Sequence, residues 1–167
     1  MTAAPAAPAV DRRHGPRRWW ALAAFLAAVT VTAAVGVLGV SGTADEYADL
    51  DRPSWAPPSW LFGPVWTLLY VLIAIAGWLV WQRIGFTGPL WAYAAQLVLN
   101  AVWTPLFFGA GRYGMAFADI VVLWALVVVT TIAFLRVRRS AGFLLLPYLA
   151  WVTFAAALNF AIWQLNT

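Results

Sequence analysis

The sequence predicts an all-α integral membrane protein built as a bundle of five transmembrane helices. Of its 167 residues, 64% are hydrophobic and only 10% are charged, against roughly 25% charged residues in an average soluble protein. Five apolar segments each approach the length of about 20 residues that crosses about 30 Å of hydrocarbon. These long runs do not alternate as the strands of a membrane barrel would, so we expect helices.

The five predicted helices follow one another with little chain between the last four. They cover residues 19–40, 61–82, 90–109, 115–135 and 142–165. Because the connections are short, we expect consecutive helices to be antiparallel neighbours in one bundle. Pro105 and Pro147 lie within apolar segments and are expected to kink or loosen their helices.

The N-terminal region 1–16 is rich in Ala and Pro. We expect it to be a disordered tail, so that 17–167 form the membrane domain. The segment 17–36 could also be a secretory signal peptide, since basic residues precede an apolar run and small residues follow it. Its apolar run is longer than the roughly 7–15 residues of signal peptides, which favours a retained first helix.

The distribution of arginine predicts the orientation in the membrane. All ten basic residues are Arg, and a cytoplasmic N-terminus places eight of them inside, with only Arg52 and Arg112 outside. The positive-inside rule therefore favours that orientation, in a bacterial inner (or outer) membrane. Because the arginines lie at the ends of apolar segments and not along one face, the basic composition does not indicate nucleic-acid binding.

The residue inventory excludes several kinds of chemistry. The sequence has no Cys, and its only His, His14, lies in the predicted tail. The apolar segments contain neither a Ser beside a base nor paired carboxylates, so no hydrolase site, metal site or axial haem ligand is predicted. We therefore expect no cofactor. Five helices also do not divide into the two inverted repeats of many secondary transporters.

Aromatic and polar residues recur on one face of the second, third and fifth predicted helices, at steps of three and four. Indole rings and a few amides around one cavity suit a large, flat, apolar ligand with polar edges. Aromatic belts at the membrane surfaces are the alternative, but Trp66, Trp103 and Trp151 lie one or two turns inside their segments. The residues on these faces are Trp66 and Tyr70; Gln96, Asn100, Trp103 and Phe107; and Tyr148, Trp151, Ala155, Leu158 and Asn159.

Asp119 is the only acidic residue within a predicted span. A carboxylate at mid-membrane costs roughly 2.5–3.5 kcal/mol on insertion scales, so it should face the bundle and have a partner. Two interpretations stay open at this point. Asp119 is either a capping or packing carboxylate near the start of its helix, or part of a ligand site or proton path.

Four motifs, in order, resemble the translocator protein family, also called tryptophan-rich sensory proteins, TspO/MBR or peripheral-type benzodiazepine receptors. The resemblance runs from about Tyr47 to Asn159 and covers the last four predicted helices. The motifs are RPSWAPPSWLFGPVWTLLY (52–70), LNAVWTPLFFG (99–109), AFAD (116–119) and PYLAWVTFAAALN (147–159).

The resemblance implies a five-helix bundle, usually a homodimer, with a pocket near the first loop for porphyrins such as protoporphyrin IX. It implies Trp66 and Trp151 as facing indoles and a lid formed by the first loop. One departure concerns the family's sterol motif: Phe160 and Gln164 replace its Tyr and basic residue, which puts cholesterol binding in doubt. Carried over residue by residue, the pocket has Trp66, Asn100, Trp103, Asp119, Trp151, Ala155 and Leu158, with Trp55, Pro57 and Pro58 in the lid; Tyr70, Phe107 and Tyr148, from the faces described above, complete the predicted site.

Three functions compete at this level. The first is a membrane receptor or transport-type protein for tetrapyrroles, with a stress or regulatory role. The second is an enzyme that degrades protoporphyrin IX with light and oxygen, using Trp66 and Trp151 to relay electrons or stabilise a radical. The third is a scaffold whose pocket no longer binds a ligand. The same indoles would serve the first two functions, so the residues do not separate them.

Overall fold

Five long helices and one short helix make up most of the structure, a computed structural model that describes residues 17–40 and 46–166. No strand occurs within those two ranges. The predicted disordered tail, 1–16, lies outside them. The helices are α1 (Arg17–Val40), α2 (Glu46–Asp49), α3 (Phe62–Ile84), α4 (Gly88–Thr104), α5 (Tyr113–Val137) and α6 (Arg139–Leu165).

Four of these helices, α1, α3, α5 and α6, are long and apolar enough to cross a membrane. The prediction of five spans is thus confirmed only in part, because α4 has 17 residues. The predicted third helix, 90–109, is instead α4 followed by a π-helical turn at Pro105–Gly109. Pro105 has no N–H to donate and its ring crowds the preceding turn, so the regular α-helix gives way to the wider π turn there, at the residue where a kink or loosening was predicted. The turn closes with a bond from the Ala110 amide to the Pro105 carbonyl at 2.9 Å.

The order of the helices around the bundle departs from the order in the chain. α1 packs on both α3 and α4, α4 packs on α5, and α6 packs on α5 and α3. The expectation that consecutive helices are neighbours is therefore wrong for α3 and α4, which meet only over a small area because α1 lies between them. α3, α4 and α6 still converge in the interior, which is where the polar side chains of the predicted site lie.

Glycine residues permit the close approach of α1 to its neighbours. An added Cβ at Gly77 on α3 would lie 2.8 Å from the ring of Phe25 on α1 and 2.9 Å from the ring of Tyr93 on α4. At the other end of α1, a Cβ at Gly39 would lie 3.1 Å from Pro105 in the π turn. These positions explain why α1 fits between α3 and α4, since contacts this short leave no room for a methyl group.

Candidate functional site

A buried hydrogen-bond network joins α3, α4 and α6. The Tyr148 hydroxyl donates to Gln96 Oε1 at 2.6 Å and accepts from Asn100 Nδ2 at 3.2 Å. Asn100 Oδ1 in turn accepts from the Tyr70 hydroxyl at 2.8 Å. Gln96 and Asn100 are one turn apart on α4, so both amides point to the same side. Each hydroxyl and amide in this network has a hydrogen-bond partner, so the network is satisfied and rigid. We call it the floor.

Trp66 lies against this network. Its ring centroid is 5.2 Å from that of Tyr70, one turn later on α3, and 6.2 Å from that of Tyr148 on α6. Trp66 is half-buried, so part of its indole remains available for contact. Aromatic pairs at these separations contribute roughly 0.5–1.5 kcal/mol beyond the area they bury.

A second polar link joins the end of α4 to α6. The Trp103 indole N–H donates to Asn159 Oδ1 at 3.0 Å, and Asn159 Nδ2 donates to the Tyr113 carbonyl at 3.0 Å. Trp103 also stacks on Phe107, with ring centroids 5.1 Å apart. The π turn therefore carries Phe107 inward, where it is 2% exposed.

A small internal cavity lies above this link. Its volume is about 10 Å³, close to the room that one water molecule needs. Pockets for drug-sized ligands have roughly 300–1,000 Å³, so the cavity is too small for such a ligand in this structure. The cavity is lined by Tyr47, Phe62, Trp103, Phe107, Phe108, Ala155, Leu158 and Asn159.

A larger, open groove of about 330 Å³ lies between α5 and α6. Phe117, Val121 and Trp124 form one side, and α6 forms the other with Thr153 and Phe160. The groove contains none of the predicted site residues. We therefore place the candidate site at the internal cavity, which contains four of them.

The segment 46–61, which contains α2 and leads into α3, contributes Tyr47 to the cavity wall, and we call it the lid segment. The Tyr47 hydroxyl donates to the Pro57 carbonyl at 3.0 Å, and Tyr47 packs edge-on against Phe62. Trp55 packs edge-on against Phe154 of α6, with centroids 5.8 Å apart. Burial raises the pKa of the Tyr47 hydroxyl above its ordinary value, although Arg52 beside it opposes that shift. The hydroxyl therefore stays protonated, and able to donate to Pro57, throughout the physiological pH range.

Trp151 and Asp119 each carry a buried polar atom with no hydrogen-bond partner within the described ranges, Nε1 and Oδ2 respectively. The Trp151 ring packs against Phe62 and Phe154, at 5.9 and 5.4 Å. Trp66 packs instead against Tyr70 and Tyr148, so the two indoles have different ring neighbours, and their role as a facing pair around a ligand stays a prediction. Phe62 precedes Trp66 by one turn, which places Trp151 nearer the lid segment.

The structure groups the predicted site residues into three sets, leaving Asp119 on α5 and Pro58 outside them. Pro57 is buried in the lid segment, whereas Pro58 is exposed. The prediction omitted Tyr47, Phe62 and Phe108, which line the cavity. The two Phe residues could have been found from the FGPVW and FFG motifs that contain them. No such signal points to Tyr47, which only marks where the resemblance begins. The sets are the floor (Trp66, Tyr70, Asn100, Tyr148), the cavity wall (Trp103, Phe107, Ala155, Leu158) and the lid contacts (Trp55, Pro57, Trp151).

Replacing Trp103 with Phe is expected to lower the free energy of unfolding by about 1 kcal/mol, because Asn159 Oδ1 loses its donor while most of the ring packing survives. Reversible unfolding in mixed detergent micelles would measure the change. Trp91→Phe is the control, since Trp91 is 65% exposed at the other end of α4. Equal effects of the two substitutions would contradict a structural role for the Trp103–Asn159 bond.

Comparison with known proteins identifies the family to which the sequence is similar, independently of the geometry described above. A profile of the TspO/MBR family matches residues 22–164. The chain is 44% identical over 148 residues to the tryptophan-rich sensory protein of Cereibacter sphaeroides, covering 88% of this chain and 92% of that protein. It is 43% identical over 125 residues to the translocator protein of Homo sapiens, covering 72% and 74% respectively, and 36% identical over 149 residues to protein CrtK of Rhodobacter capsulatus, covering 86% and 91%. With its apolar helices, the chain is an integral membrane protein that belongs to the TspO/MBR family.

Proposed function

We propose that this protein is a membrane receptor or transport-type protein that binds tetrapyrroles such as protoporphyrin IX, with a stress or regulatory role. One observation carries the proposal: a continuous series of aromatic contacts begins at Tyr47 and Phe62 in the cavity wall and continues to the lid segment at Trp55. A flat conjugated ligand can stack on such faces with little need for polar contacts. The series runs from Tyr47 through Phe62, Trp151 and Phe154 to Trp55.

Two unpartnered polar atoms support a ligand with polar edges. Buried polar atoms without partners are rare and call for an explanation. The Trp151 indole N–H lies in the aromatic series and would donate to an acceptor on the ligand. Asp119 Oδ2 on α5 would accept from a donor or a water molecule, although a packing role for Asp119 fits the same observation.

The names of the relatives favour the same class of function. A translocator protein and a tryptophan-rich sensory protein are both similar to this chain over most of its length. Transport and sensing both require a site that a ligand can enter and leave. Neither requires a nucleophile or a metal, which is consistent with the residues around the cavity.

The membrane arrangement completes the proposal. We infer that α4 and its π turn, which together run from Gly88 to Gly109, form a fifth span of about 30 Å. The arginine bias then places the N-terminus in the cytoplasm, in the inner or outer membrane of a bacterium. A homodimer is proposed from the family, and cholesterol remains a doubtful ligand because Phe160 and Gln164 replace the residues of the sterol motif.

The decisive experiment is a titration of the protein in lipid nanodiscs with protoporphyrin IX in the dark, followed by porphyrin absorption. We expect saturable binding above that of empty nanodiscs. Trp66→Phe and Trp151→Phe should each weaken binding three- to tenfold, because each removes part of a stacking surface worth roughly 0.5–1.5 kcal/mol. Trp91→Phe is the matched control and should bind like the wild type.

Each other outcome has a definite meaning. Binding no stronger than that of empty nanodiscs would contradict the proposal and leave a scaffold without a ligand. Equal weakening of binding by all three Trp substitutions would indicate that the ligand binds outside this cavity. Loss of porphyrin absorption under light that depends on Trp66 or Trp151 would favour the alternative, an enzyme for light- and oxygen-dependent degradation of protoporphyrin IX.

A further inference from the structure

Asn166, just after α6, holds the lid segment through the main chain of Asp51. Its Oδ1 accepts from the Asp51 amide at 3.1 Å, and its Nδ2 donates to the Asp51 carbonyl at 2.9 Å. The same Nδ2 donates to the Ile162 carbonyl at 2.8 Å. A side-chain amide offers the same donor and acceptor as a peptide group, so Asn166 pairs with Asp51 as one strand pairs with another. We call this pair of bonds to Asp51 the clasp.

The clasp attaches the middle of the lid segment to the end of α6. Asp51 follows α2, which carries Tyr47, and precedes the turn closed by the bond from the Ala56 amide to the Pro53 carbonyl at 2.9 Å. Trp55, in that turn, makes an aromatic contact with Phe154 of α6. The lid segment is therefore held to α6 by the clasp and by this aromatic contact, and Tyr47 shares an apolar cluster with Leu158 and Ile162 of α6.

The clasp is solvent-exposed, unlike the buried floor network of Gln96, Asn100 and Tyr148. When exposed hydrogen bonds break, water replaces the lost partners, so each contributes little net stability. A contact of this kind can open and re-form readily. The floor cannot, because its polar atoms would be left without partners in an apolar interior.

Ligand binding requires such an opening. The cavity of about 10 Å³ is more than an order of magnitude smaller than a pocket for a drug-sized molecule. The lid segment contributes Tyr47 to the cavity wall and is held partly by exposed bonds. Movement of that segment away from α6 breaks the clasp and separates Trp55 from Phe154.

We propose that Asn166 is a positioning residue that controls access to the cavity: the clasp holds the lid segment closed and sets how fast a flat hydrophobic ligand enters and leaves. The inference rests on the proposed function, since it needs a ligand that binds in the cavity. A gate changes the free-energy barrier to ligand entry and the barrier to ligand exit by the same amount. Its loss should therefore change association and dissociation rates by the same factor and leave the Kd almost unchanged.

Two single substitutions test the clasp by removing it. Asn166→Ala deletes both bonds, and Asn166→Asp keeps the shape but loses the donor and directs a carboxylate oxygen at the Asp51 and Ile162 carbonyls. Each should speed association and dissociation of protoporphyrin IX about fivefold, with the Kd within about twofold of the wild type. Gln164→Ala is the control, because Gln164 is exposed on the same end of α6 and should leave both rates unchanged.

A covalent lock tests the same inference in the opposite direction. Because the chain has no Cys, Asp51→Cys combined with Asn166→Cys introduces the only two thiols. Joining them by oxidation or a short bifunctional reagent should slow both rates at least tenfold, and thiol release should reverse the effect. Unchanged rates in the locked protein would overturn the inference, because the ligand would then enter by another route, such as between helices from the bilayer.

A ligand-free measurement separates failure of the clasp from failure of the proposed function. Hydrogen exchange followed by mass spectrometry should show faster exchange at the Asp51 amide in Asn166→Ala than in the wild type or Gln164→Ala. Faster exchange without any porphyrin binding would reject the proposed function and the gate while retaining the clasp as a structural contact. Unchanged exchange would overturn the clasp itself, whatever the porphyrin does.

Discussion

Replacing Tyr148 with Phe is expected to lower the free energy of unfolding by about 2–4 kcal/mol. The hydroxyl lies at the centre of the floor network, where it donates to Gln96 Oε1 and accepts from Asn100 Nδ2. Tyr148 is 1% exposed and Gln96 is 1% exposed. Both amide groups would therefore lose a partner in a region that water does not readily reach. Reversible unfolding in mixed detergent micelles measures the change.

Tyr70→Phe is the matched control for this experiment. It also deletes one tyrosine hydroxyl, but that hydroxyl is partly buried and makes one hydrogen bond, to Asn100 Oδ1. We expect a loss of about 1–2 kcal/mol. Equal losses for the two variants would show that Tyr148 does not occupy the centre of a connected network. Porphyrin binding should weaken in both variants, since Trp66 packs on both rings.

Replacing Gly77 with Ala is expected to destabilise the bundle by about 1–3 kcal/mol, despite the better helix propensity of Ala. The new methyl group would lie 2.8 Å from Phe25 and 2.9 Å from Tyr93. Tyr93 has little freedom to move, because it stacks on Phe134 and its hydroxyl donates to the Ile73 carbonyl at 3.3 Å. The substitution should therefore push α1 away from α3 and lower the thermal midpoint in detergent.

Gly63→Ala on the same helix is the control for this substitution. No atom outside the helix lies within 4 Å of a Cβ placed there. The change should be neutral or slightly stabilising, because Ala loses less backbone entropy than Gly on folding. A similar loss at both positions would mean that glycine flexibility, and not the close approach of α1, explains the requirement at Gly77.

These two predictions describe a bundle with a rigid side and a movable side. Close packing at Gly77 and the buried floor network fix α1, α3, α4 and α6 relative to one another. The lid segment is held by exposed bonds at Asn166 and by aromatic contacts such as that of Trp55. A receptor or transport-type protein needs both properties, since the ligand surface must be preformed while the route to it opens and closes.

The sequence by itself determined the class of the protein and indicated which residues to propose for its site. Long apolar runs in lipid must form helices, because each peptide group has to be satisfied within its own segment. Pro105 indicated that the segment 90–109 loosens, and the π turn begins there for an equally local reason. The four-residue step aligned Gln96 and Asn100 on the inner side of α4, since helical periodicity needs no knowledge of the partners.

Only the tertiary structure decided which helices touch and how the site is closed. The position of α1 between α3 and α4 depends on the fit of Phe25 and Tyr93 at Gly77, and a glycine in an apolar run does not reveal what approaches it. The pairing of Asn166 with Asp51 joins residues 115 positions apart, beyond the reach of any periodic pattern. The offset of Trp66 from Trp151 likewise follows from helix rotation and packing, which involve several segments at once, whereas spacing along one helix reports only the face on which a side chain lies.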